Sequence, residues 1–195
     1  FRLSNLDTNV ATILITDSDG RAVSSPVPIG GIGTDGAVSL YHFRIQEVEA
    51  PDGYLLDPTV HDFQFNIKTD QYQTLTYQYE AADSPNRVII SKKQLTTKEE
   101  LPGASLEVRR VTEMVDKDGT VIRIDGDVIE SWISTEVPHE LECLTEGMYV
   151  LIETRAPEGY IEAEKVYFTI SGNMTVDDIP MVEMFDDDTK IEIRK

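Results

Sequence analysis

YVLIETRAPEGY, residues 149–160, is an alternating strand that runs into a proline turn, and FRIQEVEAPDGY, residues 43–54, repeats the arrangement. Both fit Glu-x-x-Ala-Pro-acid-Gly-Tyr, with Glu47 and Glu153 lying 106 positions apart. A second echo has nearly the same spacing: DSPNRVIISK at 83–92 returns as DDDTKIEIRK at 186–195, an offset of 103. Two independent echoes at nearly one period mark a structural repeat of about a hundred residues, the size of a small β-sandwich domain.

The repeats set the expected domain organisation. A first unit is expected over 1–85, a second over 86–188, and 189–195 reads as a linker and the opening strand of a following unit. The first unit lacks an opening strand of its own, and Phe1 starts within the pattern, as a piece of something longer would. Strands are expected in the second unit over 87–93, 104–111, 120–124, 128–134, 139–144, 148–154, 163–170 and 180–185. These stretches are short and rich in Val, Ile, Thr, Tyr and Phe, with turn signals between them. DSDG at 17–20, TDG at 34–36, DKDG at 116–119, EG at 146–147 and SGN at 171–173 supply residues that accept positive φ. Pro51 and Pro157 each end a strand, because proline donates nothing to a ladder. Residues 96–100 are the one stretch expected to form a helical turn. The pattern is that of an all-β protein of tandem Ig-like sandwiches.

Composition narrows the function. The 195-residue chain carries a net charge of −19, which argues against electrostatic binding to nucleic acid or anionic membranes. Its single cysteine, Cys143, closes no internal disulfide and, between Leu141 and Leu144, is expected to be a small buried residue. Trp132, Tyr149 and Phe185 are expected in the core. No cofactor or metal is expected. DSDG, DKDG and DDD offer oxygen ligands but complete no calcium-loop spacing. Phosphate-loop, nucleophile-elbow and zinc-protease motifs are absent, so turnover of an external substrate is not expected.

Strand phase singles out three charged residues. Side chains alternate between the two faces of a strand. Lys92 is in phase with Val88 and Ile90, Glu153 with Tyr149 and Leu151, and Asp186 with Val182 and Met184. One amine and two carboxyl groups thus point to the apolar side, where unpaired charge is costly. In the first unit Glu47 is in phase with Phe43 and Ile45, and Asp83 with Tyr77 and Tyr79, but no lysine precedes Lys68; Lys195 is in phase with Ile191 and Ile193 in the tail. A one-residue slip in register would exchange Lys92 for Lys93, or Asp186 for Asp187, and Asp188 competes with Asp186 as well. Burial favours a neutral amine and a protonated carboxyl. Held in contact with a second carboxyl to move protons, such a pair can condense to an amide with loss of water.

At these residues the chain resembles the Cna B-type, SpaA-like pilin domains of Gram-positive surface proteins. VIISKK at 88–93 resembles the first strand with its reactive lysine, ELPGASLEV at 100–108 the turn and second strand, ESWIS at 130–134 a following strand, LTEGMYVLIETRAPEGY at 144–160 the glutamate-bearing strand and turn, and VEMFDDD at 182–188 the last strand. The resemblance implies a prealbumin-like sandwich in an extracellular stalk or adhesin on the cell wall. It also implies a self-made isopeptide bond between Lys92 and Asp186, assisted by Glu153. Glu47 with Asp83 (or Asn86) would be the equivalents in the first unit, lacking the lysine, and Lys195 the equivalent lysine of a following unit. Implied partners are neighbouring domains of the same protein and a host matrix or surface ligand; separately, an unpaired edge in the first unit and a spare strand in the tail raise addition of another chain's Lys195 strand to the first unit. In a ligand-binding alternative the buried charges are only an ion network and the 21–36 and 112–127 segments carry binding.

Overall fold

A computed structural model describes residues 1–65 and 75–189. The chain divides into two compact units. One comprises Phe1–Ala50 and Leu56–Asp83, and the other runs from Ser84 onward and also takes in Pro51–Leu55.

The second unit is a two-sheet sandwich. Strands β7 (Arg87–Gln94), β10 (His139–Glu142), β12 (Tyr160–Ile161) and β14 (Met181–Asp188) form its first sheet, in the order β10-β7-β14-β12. Strands β8 (Ser105–Val115), β9 (Val121–Ile133), β11 (Gly147–Arg155) and β13 (Val166–Ile170) form the second, in the order β13-β11-β8-β9. Val88, Ile90, Leu141, Val182 and Met184 from one sheet meet Leu106, Val108, Tyr149, Leu151 and Ile170 from the other in a single buried cluster. Those are the alternate residues of each strand, as pleating requires when one sheet face is covered and the other wet. First and last strands are neighbours: β14 runs parallel to β7, with Met184 opposite Lys92 and Asp186 opposite Gln94.

Among its described residues, the first unit contains the counterpart of one of these sheets. β1 (Arg2–Asn5), β2 (Val10–Ile13), β5 (His42–Gln46) and β6 (Val60–Gln64) form a sheet of order β2-β1-β5-β6, and β3 (Gly30–Ile32) with β4 (Val38–Leu40) forms a separate hairpin. By position in the sheet the four strands β2, β1, β5 and β6 correspond to β9, β8, β11 and β13. In the second unit β7 hydrogen-bonds to β10 on one side and β14 on the other. No strand forms over the described residues 75–83 of the first unit.

Several local expectations are corrected. β9 is one strand from Val121 to Ile133, because shifts in its register with β8 around Arg109 absorb the Asp125–Asp127 break. Residues 96–100 are not helical: Lys98 adopts φ 63°, and the segment folds back so that Lys93 bridges Glu100. Cys143 is exposed, not buried, because its φ of 57° ends β10 and turns Leu144, instead, into the core. Phe185 lies in the phase opposite to Met184 and Asp186, so it sits half-buried outside the core, with the Lys98 ammonium 4.3 Å from its ring centre. Tyr149 is buried, and Trp132 packs on the edge of the core, stacked on His139 at 4.2 Å.

Candidate functional site

Lys92, Glu153 and Asp186 come together inside the sandwich. Lys92 and Asp186 project from adjacent parallel strands, and Glu153 faces them from β11 in the opposite sheet. Their relative exposures are 2%, 1% and 0%. The Lys92 ammonium donates to Asp186 Oδ1 and lies 3.1 Å from Glu153 Oε1.

The second oxygen of Glu153 is anchored, since Oε2 accepts the Ala163 amide N–H at 2.7 Å. This fixes the carboxyl and leaves Oε1 aimed at the lysine. Glu153 Oε1 and Asp186 Oδ2 are the two buried side-chain atoms among the described residues that accept no hydrogen bond. Burial pushes the Asp186 carboxyl up to about 6; contact with Lys92 pulls it down, and the neighbouring Glu153 pushes it up again. A buried amine in contact with one carboxyl and 3.1 Å from a second is therefore the chemical content of the site.

The register alternatives fall elsewhere in the fold. Lys93 points to the outer face and pairs with Glu183. Asp187 is exposed, and Asp188 accepts from the Gln94 side chain at 3.2 Å.

In the first unit Glu47 is also buried, at 5% exposure, and its Oε2 accepts the Asp57 N–H at 2.7 Å. The anchoring amide is ten residues downstream of the glutamate in both units, so the sequence repeat extends to the carboxyl's orientation. Burial raises the Glu47 pKa, the Asp57 amide opposes this, and the charge of Asp83 adds to the rise. Asp83 itself is exposed and outside any strand, so its expected inward phase is not realised. Asn86 is not free to serve the first unit, because its side chain donates to Leu144 O at 2.7 Å and accepts from Leu144 N–H at 2.9 Å. Lys68 and Lys195 lie outside the described residues.

Two supports went unread in the sequence. Ser134 is buried and ties the turn after β7 to the end of β9, donating to Leu101 O at 2.6 Å and accepting from Ala104 N–H at 2.9 Å. Leu101 N–H in turn donates to the backbone carbonyl of Lys92 at 2.7 Å. The Ser-x-x-Glu-type signals that mark helix caps have no strand equivalent, so only the alternation of Trp132 and Ser134 hinted at this role. The acidic turns are also accounted for: Asp17 and Asp116 each accept two backbone amides of their own turn, at 2.9–3.0 Å.

A two-sheet sandwich whose first and last strands are parallel neighbours, with a lysine and two carboxyls between the sheets, defines a prealbumin-like β-domain. Residues 86–182 match the family model described as SpaA, prealbumin-like fold domain. The second unit of this chain belongs to that family. No curated protein sequence matches the chain. Among solved structures it resembles the TIE protein of Bacillus anthracis at 21% identity and a TM-score of 0.45, over 96% of this chain and 30% of that one. It resembles the shaft pilin SpaA of Lactobacillus rhamnosus GG at 16% identity and a TM-score of 0.40, over 98% of this chain and 88% of that one. A third is the pilus 2b backbone protein of group B streptococcus, at 17% and 0.39, covering 67% and 48%. The chain thus spans under a third of the first of these proteins. No helix among the described residues is long and apolar enough to cross a membrane.

Proposed function

We propose that this chain is a load-bearing module of a Gram-positive cell-surface or pilus protein, and that its second unit closes itself with an amide between Lys92 and Asp186. The observation that carries the reading is a lysine at 2% exposure, in contact with one buried carboxyl and 3.1 Å from another. Removing one partner of an ordinary buried ion pair is destabilising, but the pair itself is weak evidence for stability. A site that condenses has a different reason to hold all three groups.

The reaction balances without any co-reactant. With Asp186 protonated and the amine neutral, Lys92 Nζ attacks Asp186 Cγ. Glu153 receives the amine proton and returns a proton to the departing hydroxyl, so an N–C bond forms, a C–O bond breaks, and one water leaves. Contact in a dry core supplies the effective concentration. A cleft of about 200 Å³ lined by Lys92, Trp132, Ser134 and His139 offers the water a way out. The site acts once and turns over nothing. Neighbouring domains of the same surface protein are the proposed partners.

Intact mass of the denatured protein tests the reading. The wild type is expected one water lighter than its sequence, and Lys92→Ala to carry its full sequence mass. An unmodified wild-type mass would remove the chemistry, leave the three charges as an ion network, and turn attention to the 21–36 and 112–127 segments as binding loops.

A further inference from the structure

The Ala-Pro-acid-Gly-Tyr turn occurs in both repeats, yet only its preceding glutamate serves the buried site. Its Gly-Tyr end makes a different and equally repeated set of contacts. Gly53 O accepts Asn86 N–H at 2.9 Å, Leu55 N–H donates to Ser84 O at 2.8 Å, and Tyr54 bridges Pro85. One repeat later, Gly159 O accepts Thr189 N–H at 2.9 Å and Thr189 Oγ1 at 2.8 Å, and Tyr160 pairs with Asp188. Both glycines have positive φ, 85° and 89°.

The two sites differ in what covers them. A Cβ built on Gly53 would meet the Cys143 carbonyl carbon and oxygen at 3.2 Å and its Cα at 3.3 Å. That Cys143–Leu144 turn is clamped by Asn86, through Cys143 N–H to Asn86 O at 3.0 Å and the two side-chain bonds to Leu144. A Cβ on Gly159 would meet nothing within 4 Å. Pro51–Leu55 thus completes the second unit although it lies within the first repeat of the sequence. Pro157–Ile161 makes the same kind of bonds to the chain leaving β14, but among the described residues nothing covers its outer face at Gly159.

We propose that this turn is a coupling element: its Gly-Tyr end is built into the repeat that follows, and the open face at Gly159 is the docking surface for another repeat of this kind. That repeat would be entered at Thr189, where the chain echoes the approach to β7, and its turn equivalent to Cys143–Leu144 would cover Gly159. The glycine is needed twice at such a joint, once for positive φ and once because only a hydrogen fits under a neighbouring backbone. The inference is independent of the amide bond, which intact mass reads separately.

Native-state hydrogen exchange on the 195-residue chain needs no variant. The Leu55 and Asn86 amides are expected to open together with β7 and β11, as part of the second unit. Exchange of Leu55 at the rate of β5 and β6, with β7 and β11 opening separately, would overturn the proposal. A second arm joins residues 1–188 to a further copy of 86–195. In that chain Gly159→Ala is expected to speed exchange at the added repeat's Cys143-equivalent turn by about tenfold or more, the same effect expected of Gly53→Ala at Cys143–Leu144 in the 195-residue chain. An unchanged rate in the added repeat would show that nothing docks on Gly159 and would also overturn it.

Discussion

Replacing Glu153 by Gln separates the chemistry of the site from its packing. The amide keeps the volume of the side chain, and its carbonyl can still accept from Ala163 N–H, the bond that positions the wild-type carboxyl at 2.7 Å. Lys92 and Asp186 remain in contact as an ion pair, so the sandwich is expected to fold. What is lost is the group proposed to relay the proton. The proposed bond would join residues 94 positions apart. Treated like any covalent loop closure, it restricts the unfolded chain by about 4–5 kcal/mol. For a domain of this size each kcal/mol moves the melting midpoint by about 4–8 °C, so Glu153→Gln is expected to melt roughly 20 °C or more below the wild type. The only tryptophan, Trp132, lies in the second unit against its core. Its fluorescence therefore follows that unit without interference from the first. Mass should rise by one water in parallel. A variant with the wild-type water deficit would refute the role of Glu153. One that carries the extra water but melts within a few degrees of the wild type would refute the loop-closure argument.

Three further outcomes follow from named contacts. Lys92→Ala leaves Asp186 titratable and removes a partner that lowers its pKa. A folded pKa above the unfolded 3.8 means the folded state binds more protons between the two values, so stability falls as pH rises through about 4–6 and beyond. The urea midpoint of Lys92→Ala should therefore be lower at pH 8 than at pH 5, a difference that should vanish in Lys92→Ala/Asp186→Ala. Asn86→Ala removes two buried bonds to Leu144 and is expected to destabilise the second unit by about 2–3 kcal/mol, read by Trp132 melting; a change under half that size would mean water replaces the amide. Ser134→Ala frees Leu101 O and Ala104 N–H and should cost about 1–3 kcal/mol while leaving the intact mass unchanged; restoration of the lost water would instead place Ser134 in the chemistry.

What could be read from the sequence was whatever depends on period 2. Alternation placed Lys92, Glu153 and Asp186 on the apolar faces of three strands, and the structure sets all three between the sheets. The same rule, applied to 182–186, puts Phe185 on the outer face beside Lys98, so the expectation of a core position there misread the phase. Phase cannot say which strands are neighbours, so the parallel pairing of β7 with β14 and the position of β11 across the core were not readable from residues alone. Nor does phase hold where no strand forms. Asp83 shares the parity of Tyr77 and Tyr79, but parity has no meaning in an unpaired segment, and Asp83 is exposed. Cys143 failed for a related reason: its apolar neighbours suggested burial, while a left-handed residue at the end of β10 reverses the alternation at that point.

The topology gives the proposed bond its mechanical meaning. β7 opens the second unit and β14 closes it, and they lie side by side and parallel, with Met181–Asp186 opposite Ile89–Gln94. Tension applied through the chain before Arg87 and after Asp188 would load this ladder in shear along both strands. A covalent link from Lys92 to Asp186 would carry force from one strand directly to the other. The chain between them, including the long β8–β9 hairpin and β11, would then lie off the load path. A disulfide in the same place would do this only until it met a reductant, whereas an amide is indifferent to thiols. The first unit holds the anchored glutamate of such a site but, among its described residues, no lysine to join. On this reading the first unit stays extensible unless a lysine-bearing strand is supplied to it. A pulling experiment on the 195-residue chain should therefore show unfolding of the first unit and no lengthening from the residues between Lys92 and Asp186. Release of that length in the wild type, at the force seen for Lys92→Ala, would mean the strands are joined by hydrogen bonds alone.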